Sequence, residues 1–399
     1  MASKKDRPGF HSLCVQPAQL SKEIRTHSEP IYTTSAYTFP DTESAMALFT
    51  DPRKGYIYSR WSNPTVEMAG NKIAALELYG SDQEGFCQMF SSGMAAISAA
   101  ILSCVKQGES LLTQKQLYGT SDELIQSLLP DFGIGNMRAD LHDLAEVERI
   151  LSAEKNIRCL YLETPSNPMM EVFDIAALSA LAKKYGLRTI VDNTFSTPYC
   201  QQPLLLGADL TVHSATKYLN GHGTGLGGAV VGTDSALRET VWMKVKLLGG
   251  NANPFDAWLI LQGLKTLALR MKKHCRNAQK VAAFLQAHPA VARVMYCGAI
   301  DHPQKNIIDR QMYHYGGMLS FELKGGMDAG IRLMNAVQLC SLVTTLGTTD
   351  TLIQHPASMT HVNVPEERRM AAGITNGLVR MSVGIENASD IIYDLERGL

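Results

Sequence analysis

The sequence predicts an α/β protein, with a mainly parallel sheet of the seven-stranded type in a large domain and a smaller C-terminal α/β domain. Three observations predict it. Between about residues 92 and 232, short apolar runs alternate with segments of helical spacing, as β-α-β units do. Asn167, Asp192 and His213-Ser214 fall just past predicted strand ends, where ligands of such sheets sit. Beyond Pro254 a long helical segment leads into a second set of apolar runs.

The elements follow in order. Up to about residue 55 the chain reads as loop, with Pro8, Pro17, Pro30, Pro40 and Pro52 and little periodicity, which suits an extended arm lying on a partner subunit. Asn63-Pro64 reads as a cap followed by proline in the first helical turn, opening a helix to about Leu78. Helices are expected over Ser92 to Val105, Asp122 to Leu129, Leu144 to Ala153, and Ile175 to Tyr185, the last stopped by Gly186. Strands are expected at Glu109 to Thr113, Ile157 to Glu163, Leu187 to Val191, Leu210 to His213 and Ala229 to Gly232. One long helix, Ala257 to Cys275, then precedes strands at Ala290 to Tyr296, Leu319 to Leu323 and Leu378 to Val383. The domains expected are an arm over 1–60, a large domain over 61–255 and a C-terminal domain over 256–399.

Composition narrows the partners. The 399 residues carry 37 Lys plus Arg against 38 Asp plus Glu, a net charge of −1. Such a balance gives no global attraction to nucleic acid or to an anionic membrane, so neither is expected as a partner. The longest weakly polar run, Met94 to Val105, is too short to span a bilayer, and Met1 to Pro8 lack the apolar core of a signal peptide. A cytoplasmic protein is expected. The eight cysteines form no C-x-x-C and read as small core hydrophobes. The eleven histidines show no H-E-x-x-H or H-x-H spacing, so no metal site is expected.

Lys217 stands in Val212-His213-Ser214-Ala215-Thr216-Lys217-Tyr218, just after a buried strand and before a run of glycines. Its amine can form a Schiff base with an aldehyde cofactor, and the Ser214 and Thr216 hydroxyls can bond a phosphate. Asp192 precedes Lys217 by 25 residues and ends the strand Thr189 to Asp192. A carboxylate there is a turn residue or the partner of a cationic cofactor atom. Pyridoxal phosphate needs an acid of that kind to keep its ring nitrogen protonated. Ser91-Ser92-Gly93-Met94-Ala95 looks like a turn opening a helix, whose free N–H groups attract phosphate. Gly223-Thr224-Gly225-Leu226-Gly227-Gly228 matches G-x-G-x-x-G, but it precedes a strand instead of following one. It is read as a tight backbone turn near Lys217, not as a dinucleotide site.

Seven further motifs appear in order: Tyr58-Ser59-Arg60-Trp61-Ser62-Asn63-Pro64-Thr65, Ser92-Gly93-Met94, Leu117-Tyr118-Gly119, Glu163-Thr164-Pro165-Ser166-Asn167-Pro168, Val191-Asp192-Asn193-Thr194, His355 to His361, and Val379-Arg380-Met381-Ser382-Val383-Gly384. With the lysine segment, they make the chain resemble the pyridoxal-phosphate enzymes of cysteine and methionine metabolism, the γ-family of fold type I. The resemblance implies that Lys217 is the Schiff-base lysine and proton shuttle, and that Asp192 pairs with the pyridine nitrogen. It implies that Tyr118 stacks on the ring and aids proton transfer. Gly93, Met94, Ser214 and Thr216 are implied to hold the phosphate, and Asn167 to lie near the phenolic oxygen. Tyr58 and Arg60 would reach the phosphate of a neighbouring subunit, so that a homodimer is the active unit and a homotetramer the expected assembly. Arg380 would clamp the substrate α-carboxylate, with Thr345 assisting.

The resemblance also frames the reaction. Proton movements at Cα and Cβ of a bound amino acid lead to loss of the γ-substituent. A thiol then replaces it, or the remainder hydrolyses to a 2-oxoacid and ammonia. Thr344 stands where enzymes handling cystathionine often carry a glutamate. Tyr118-Gly119-Thr120-Ser121 stands where methionine γ-lyases typically have Y-G-C-T. Gly221-His222-Gly223-Thr224 and Thr344-Thr345-Leu346-Gly347 look more like the sulfhydrylases of homoserine esters. The expectation is γ-replacement on an O-acylhomoserine with sulfide or a thiol. The alternatives are γ-elimination, as by a methionine γ-lyase, and a cystathionine γ-synthase or γ-lyase activity.

Overall fold

A computed structural model of the chain describes residues 8–18, 26–371 and 373–399. Seven strands form the first sheet: β1 (Phe86–Phe90), β2 (Ser110–Gln114), β3 (Gly135–Ala139), β4 (Ile157–Glu163), β5 (Arg188–Asp192), β6 (Leu210–Ser214) and β7 (Gly228–Gly232). Their order across the sheet is β1-β7-β6-β5-β4-β2-β3. All neighbours run parallel except β7, which is antiparallel to both β1 and β6. The mainly parallel seven-stranded sheet expected from sequence is therefore present.

The strands are short apolar runs because both faces are covered. On one face Ile190, Leu210, Val212 and Val230 pack with the helix Gly93–Cys104 and the helix Ser235–Leu248. On the other, Leu160, Leu162 and Val191 pack with the helices Leu144–Ala153 and Ile175–Lys184. Asp143 and Asp174 cap these two helices, accepting N–H bonds from Ala145 and Ala177 at 3.0 Å.

A second sheet of five strands comprises β8 (Val291–Met295), β9 (Met318–Leu323), β10 (Ser341–Leu342), β11 (Leu352–Gln354) and β12 (Leu378–Ser382), in the order β10-β11-β12-β9-β8. It is antiparallel except for the β10–β11 pair. Its core gathers Leu319, Phe321, Val379 and Met381 with Val281 and Leu285 of the helix Leu267–Ala287.

Two expectations are corrected. The single helix over Ala257 to Cys275 is two, Pro254–Lys265 and Leu267–Ala287, broken at Thr266 with φ −107° and ψ 4°. The Thr266 hydroxyl turns back on Gly263 O at 3.2 Å, an alternative to the helix ladder that a hydroxyl residue offers. The region before residue 55 is not all loop. Phe10–Val15 and Thr42–Thr50 are helices, the second capped by Asp41, which accepts the Ser44 N–H at 2.6 Å. In the first, the buried Cys14 joins the main core, and Phe10 meets Tyr79 and Tyr199 edge-on.

No helix among the described residues is long and apolar enough to cross a membrane. No group of three or more metal-ligating side chains is present among them.

Candidate active site

The carboxyl ends of β2, β4, β5 and β6 share one edge of the first sheet. The end of β1 and the start of β7 lie on the same edge, because β7 alone is reversed. A cleft with about 220 Å³ of free space opens there against the second sheet. Of the residues picked out in the sequence, Gly93, Met94, Tyr118, Asn167, Asp192, Ser214, Thr216, Lys217 and Arg380 all line it. Thr345 lies between the lining residues Thr344 and Leu346 and touches the lysine.

One end of the cleft is built for an anion. Ser92 caps the helix Gly93–Cys104, its hydroxyl accepting the Ala95 N–H at 3.1 Å. The first N–H groups of a helix have no partner within it, so Gly93 and Met94 present donors to the cleft, at the positive end of the helix. A Cβ on Gly93 would stand 2.8 Å from Cβ of Ser214, so only glycine lets the helix end abut β6. The Ser214 N–H is itself fixed by the Thr194 hydroxyl at 2.8 Å. Thr216 is anchored to the glycine run: its hydroxyl accepts the Gly227 N–H at 3.0 Å, and its own N–H donates to Gly227 O at 3.2 Å. The run thus serves as the tight turn expected, continuing directly into β7.

Lys217 follows that hydroxyl cluster and is half-buried. Its Nζ donates to Thr345 Oγ1 at 2.7 Å, across from the second sheet. Burial pushes its amine down to about 8, and the nearby Arg380 charge acts in the same direction. The loop carrying Thr345 comes this close because Gly347, at φ +79°, lies against the Lys217-Tyr218 backbone; a Cβ there would meet Tyr218 N at 2.7 Å.

Asp192 ends β5, the strand next to the one that leads into Lys217. Its Oδ1 accepts the Thr194 N–H at 2.9 Å. Burial raises its pKa in the protein alone, and the Thr194 hydrogen bonds and the His213 charge oppose that rise. A cation placed against it would favour the ionised form. Tyr118 is 46% exposed at the cleft wall, so its ring is available to a ligand rather than packed in the core.

Arg380 comes from the middle of β12 and is buried. It has no carboxylate partner among the described residues. Its Nη1 donates to Asn167 Oδ1 at 3.1 Å, and its Nη2 to Thr345 O at 3.1 Å and Gln354 Oε1 at 3.0 Å. Burial lowers its pKa to about 10, so it stays a cation at neutral pH. Neutral acceptors orient the guanidinium without cancelling its charge, which suits it to a carboxylate ligand.

Tyr58 and Arg60 are not brought to this cleft within the chain. Both are exposed, and the Arg60 guanidinium lies 5.5 Å from the Tyr58 ring and bonds Lys246 O. Sequence reasoning passed over two further site residues. Gln354 sits opposite Arg380 in the β11–β12 register, and Glu163 lines the cleft beside Asp192. Glu163 already stood inside the motif that carries Asn167, which was its available signal; Gln354 carried none.

An aldehyde-reactive lysine, a carboxylate, an anion cradle and an exposed aromatic ring together fit pyridoxal phosphate. Comparison with known proteins agrees. Residues 11–399 match the family model described as "Cys/Met metabolism PLP-dependent enzyme". An L-methionine gamma-lyase of Fusobacterium nucleatum subsp. polymorphum is 46% identical over 394 residues, covering 98% of each chain. An O-succinylhomoserine sulfhydrylase of Pseudomonas aeruginosa is 40% identical, covering 98% of this chain and 95% of that one. Among solved structures, a putative O-acetylhomoserine (thiol)-lyase from Campylobacter jejuni, which contains a pyridoxyl-lysine monophosphate, superposes with a TM-score of 0.90 at 33% identity over 98% of this chain and 99% of that one. The chain belongs to the pyridoxal-phosphate-dependent enzymes of cysteine and methionine metabolism.

Proposed function

We propose that this enzyme carries out γ-elimination on L-methionine or a close thioether amino acid, releasing a thiol, ammonia and a 2-oxoacid. The observation that carries the reading is the charge inventory of the cleft. Its only cations among the described lining residues are Lys217 and Arg380, and its two acids, Glu163 and Asp192, stand together at one end. The rest of the wall is apolar or neutral: Ile97, Phe195, Leu226, Thr344 and Leu346. Such a wall suits an uncharged side chain and offers nothing to the distal amino group of cystathionine. Similarity to methionine γ-lyases supports the same reading.

The bound cofactor supplies an electron sink for negative charge at the substrate Cα. The protein's residues do the rest. The Gly93 and Met94 N–H groups, with Ser214 and Thr216, would hold the phosphate, Asp192 the ring-nitrogen proton, and Asn167 the phenolic side. Arg380 would take the α-carboxylate, with the Thr345 loop beside it. That fixes the Cα–H bond relative to Lys217. The Lys217 amine, its pKa lowered to about 8, would in its neutral form remove the Cα proton and move protons at Cβ. Tyr118 would protonate the leaving sulfur. Tyr58 and Arg60 would complete the phosphate site of a second copy, making a homodimer the active unit and a homotetramer its expected assembly. The arm over 1–60, the large domain over 61–255 and the C-terminal domain over 256–399 remain the proposed division.

γ-Replacement on an O-acylhomoserine with sulfide is the second reading. Thr344-Thr345-Leu346-Gly347 and the sulfhydrylase relative favour it. The cleft then favours an acetyl over a succinyl ester, because no third cation among the described lining residues awaits a second carboxylate. Purified holoenzyme given L-methionine alone separates the two. Methanethiol and 2-oxobutyrate at steady state support elimination. Inert methionine, with homocysteine formed from O-acetylhomoserine and sulfide, overturns it for replacement.

A further inference from the structure

Glu163 lines the cleft but has no part in the roles above. It is the last residue of β4, and the ladder pairs it with Asp192, the last residue of β5. Partners in a parallel ladder project to the same face, so two carboxyl groups stand side by side at the sheet edge.

Their surroundings differ. Asp192 Oδ1 accepts the Thr194 N–H, and a charge on His213, one strand over, favours its ionised form. Glu163 is buried. Its Oε2 accepts the Tyr118 N–H at 2.7 Å, and its Oε1 lies 3.3 Å from the Tyr161 hydroxyl. Its own N–H donates to Gln114 Oε1 at 2.8 Å. The other charged groups of the cleft are committed elsewhere: Lys217 Nζ to Thr345, and Arg380 to Asn167, Thr345 and Gln354. Two adjacent ionised carboxylates repel, so one of the pair holds a proton. Burial and the Asp192 charge push Glu163 up to about 8.

We propose that Glu163 is a positioning residue that carries a proton beside an ionised Asp192 and, in that neutral form, fixes the main chain at Tyr118. The neutral acid satisfies both its bonds. One oxygen accepts the Tyr118 N–H and the other accepts the Tyr161 O–H while carrying the acid's proton. The ring-nitrogen end of the site then carries one negative charge instead of two, and the Tyr118 ring is held at a set height over the cofactor. This inference rests on the placement of Tyr118 and Asp192 proposed above.

Infrared spectroscopy of protein carrying ¹³C-carboxyl glutamate tests the proton without cofactor or substrate. The expected result is a label-sensitive protonated-carboxyl band below pH 8 that titrates away as pH rises through about 8 and is absent from Glu163→Gln. No such band, or one that persists in Glu163→Gln, overturns the proton. Cofactor affinity, read by fluorescence titration, tests the positioning. Glu163→Leu removes the acceptor of the Tyr118 N–H and should weaken binding about tenfold, while Glu163→Gln keeps an acceptor and should stay within about threefold. Equal affinities overturn the positioning. Tyr118→Ala with unchanged cofactor affinity would instead overturn the placement of Tyr118, leaving the infrared result to stand or fall by itself.

Discussion

Arg270 and Arg380 are both buried, and burial lowers both to about 10. Both are held by neutral acceptors. Arg270 donates to Thr266 Oγ1 at 3.0 Å, Tyr218 O at 2.8 Å and Gly263 O at 2.7 Å. It satisfies the Gly263 carbonyl near the break between two helices and the Tyr218 carbonyl beyond β6, and it is not among the residues lining the site cleft. Arg380 makes a comparable set of bonds, with Thr344 O at 3.5 Å as a fourth, but faces open volume. Burial, charge and bond count do not tell a structural arginine from a ligand-binding one. What tells them apart is whether the guanidinium meets space that an anion can enter.

That contrast can be broken or sharpened. The largest effect is expected inside the cleft, at Lys217. Lys217→Ala should lower kcat by about 10⁴-fold or more, since both the covalent hold and the proton carrier are lost; steady-state product assays check it. Arg380→Leu should lower kcat/KM by about 10²- to 10³-fold, chiefly through KM, because it removes a charge-assisted bidentate contact. Its melting temperature should fall less than that of Arg270→Leu, because water entering the cleft can bond the Asn167, Thr345 and Gln354 acceptors it leaves.

The third effect is a pH dependence. The Lys217 amine has its pKa lowered to about 8 in the folded protein, so below that it is protonated and cannot attack an aldehyde. The second-order rate of cofactor uptake by the cofactor-free protein should rise about tenfold per pH unit below 8 and level above it. Stopped-flow absorbance reads this directly, and a flat profile would contradict the shift. The smallest effect on catalysis is expected at Arg270. Arg270→Leu leaves the Tyr218 and Gly263 carbonyls buried without a donor, each worth about 1–3 kcal/mol. It should lower the melting temperature by several degrees while kcat/KM stays within about threefold.

Much of this contrast was legible in the sequence, though unevenly. The strands from Ile157 to Gly232 stood out because they are largely buried apolar runs punctuated by turns. Phe86–Phe90 and Gly135–Ala139 escaped notice because neither carries the β-branched residues that mark a strand. The helices on either side of Thr266 merged because their apolar spacing runs on through a residue whose hydroxyl bond, invisible in sequence, makes the break.

At the site, motifs located Lys217, Asp192 and Arg380, but only the fold puts residues separated by 163 positions, Lys217 and Arg380, into one cleft. Glu163 needed the β4–β5 register to acquire its neighbour. Tyr58 and Arg60 lie outside the cleft of their own chain.

The most direct measurement is a spectral titration of the holoenzyme with L-methionine and with L-methioninamide, in the unaltered protein, Arg270→Leu and Arg380→Leu. The account predicts that the unaltered protein and Arg270→Leu prefer the acid by about 10²-fold, and that Arg380→Leu loses the preference. Undiminished preference in Arg380→Leu, or its loss in Arg270→Leu, would contradict the assignment of Arg380 as the receptor of the α-carboxylate.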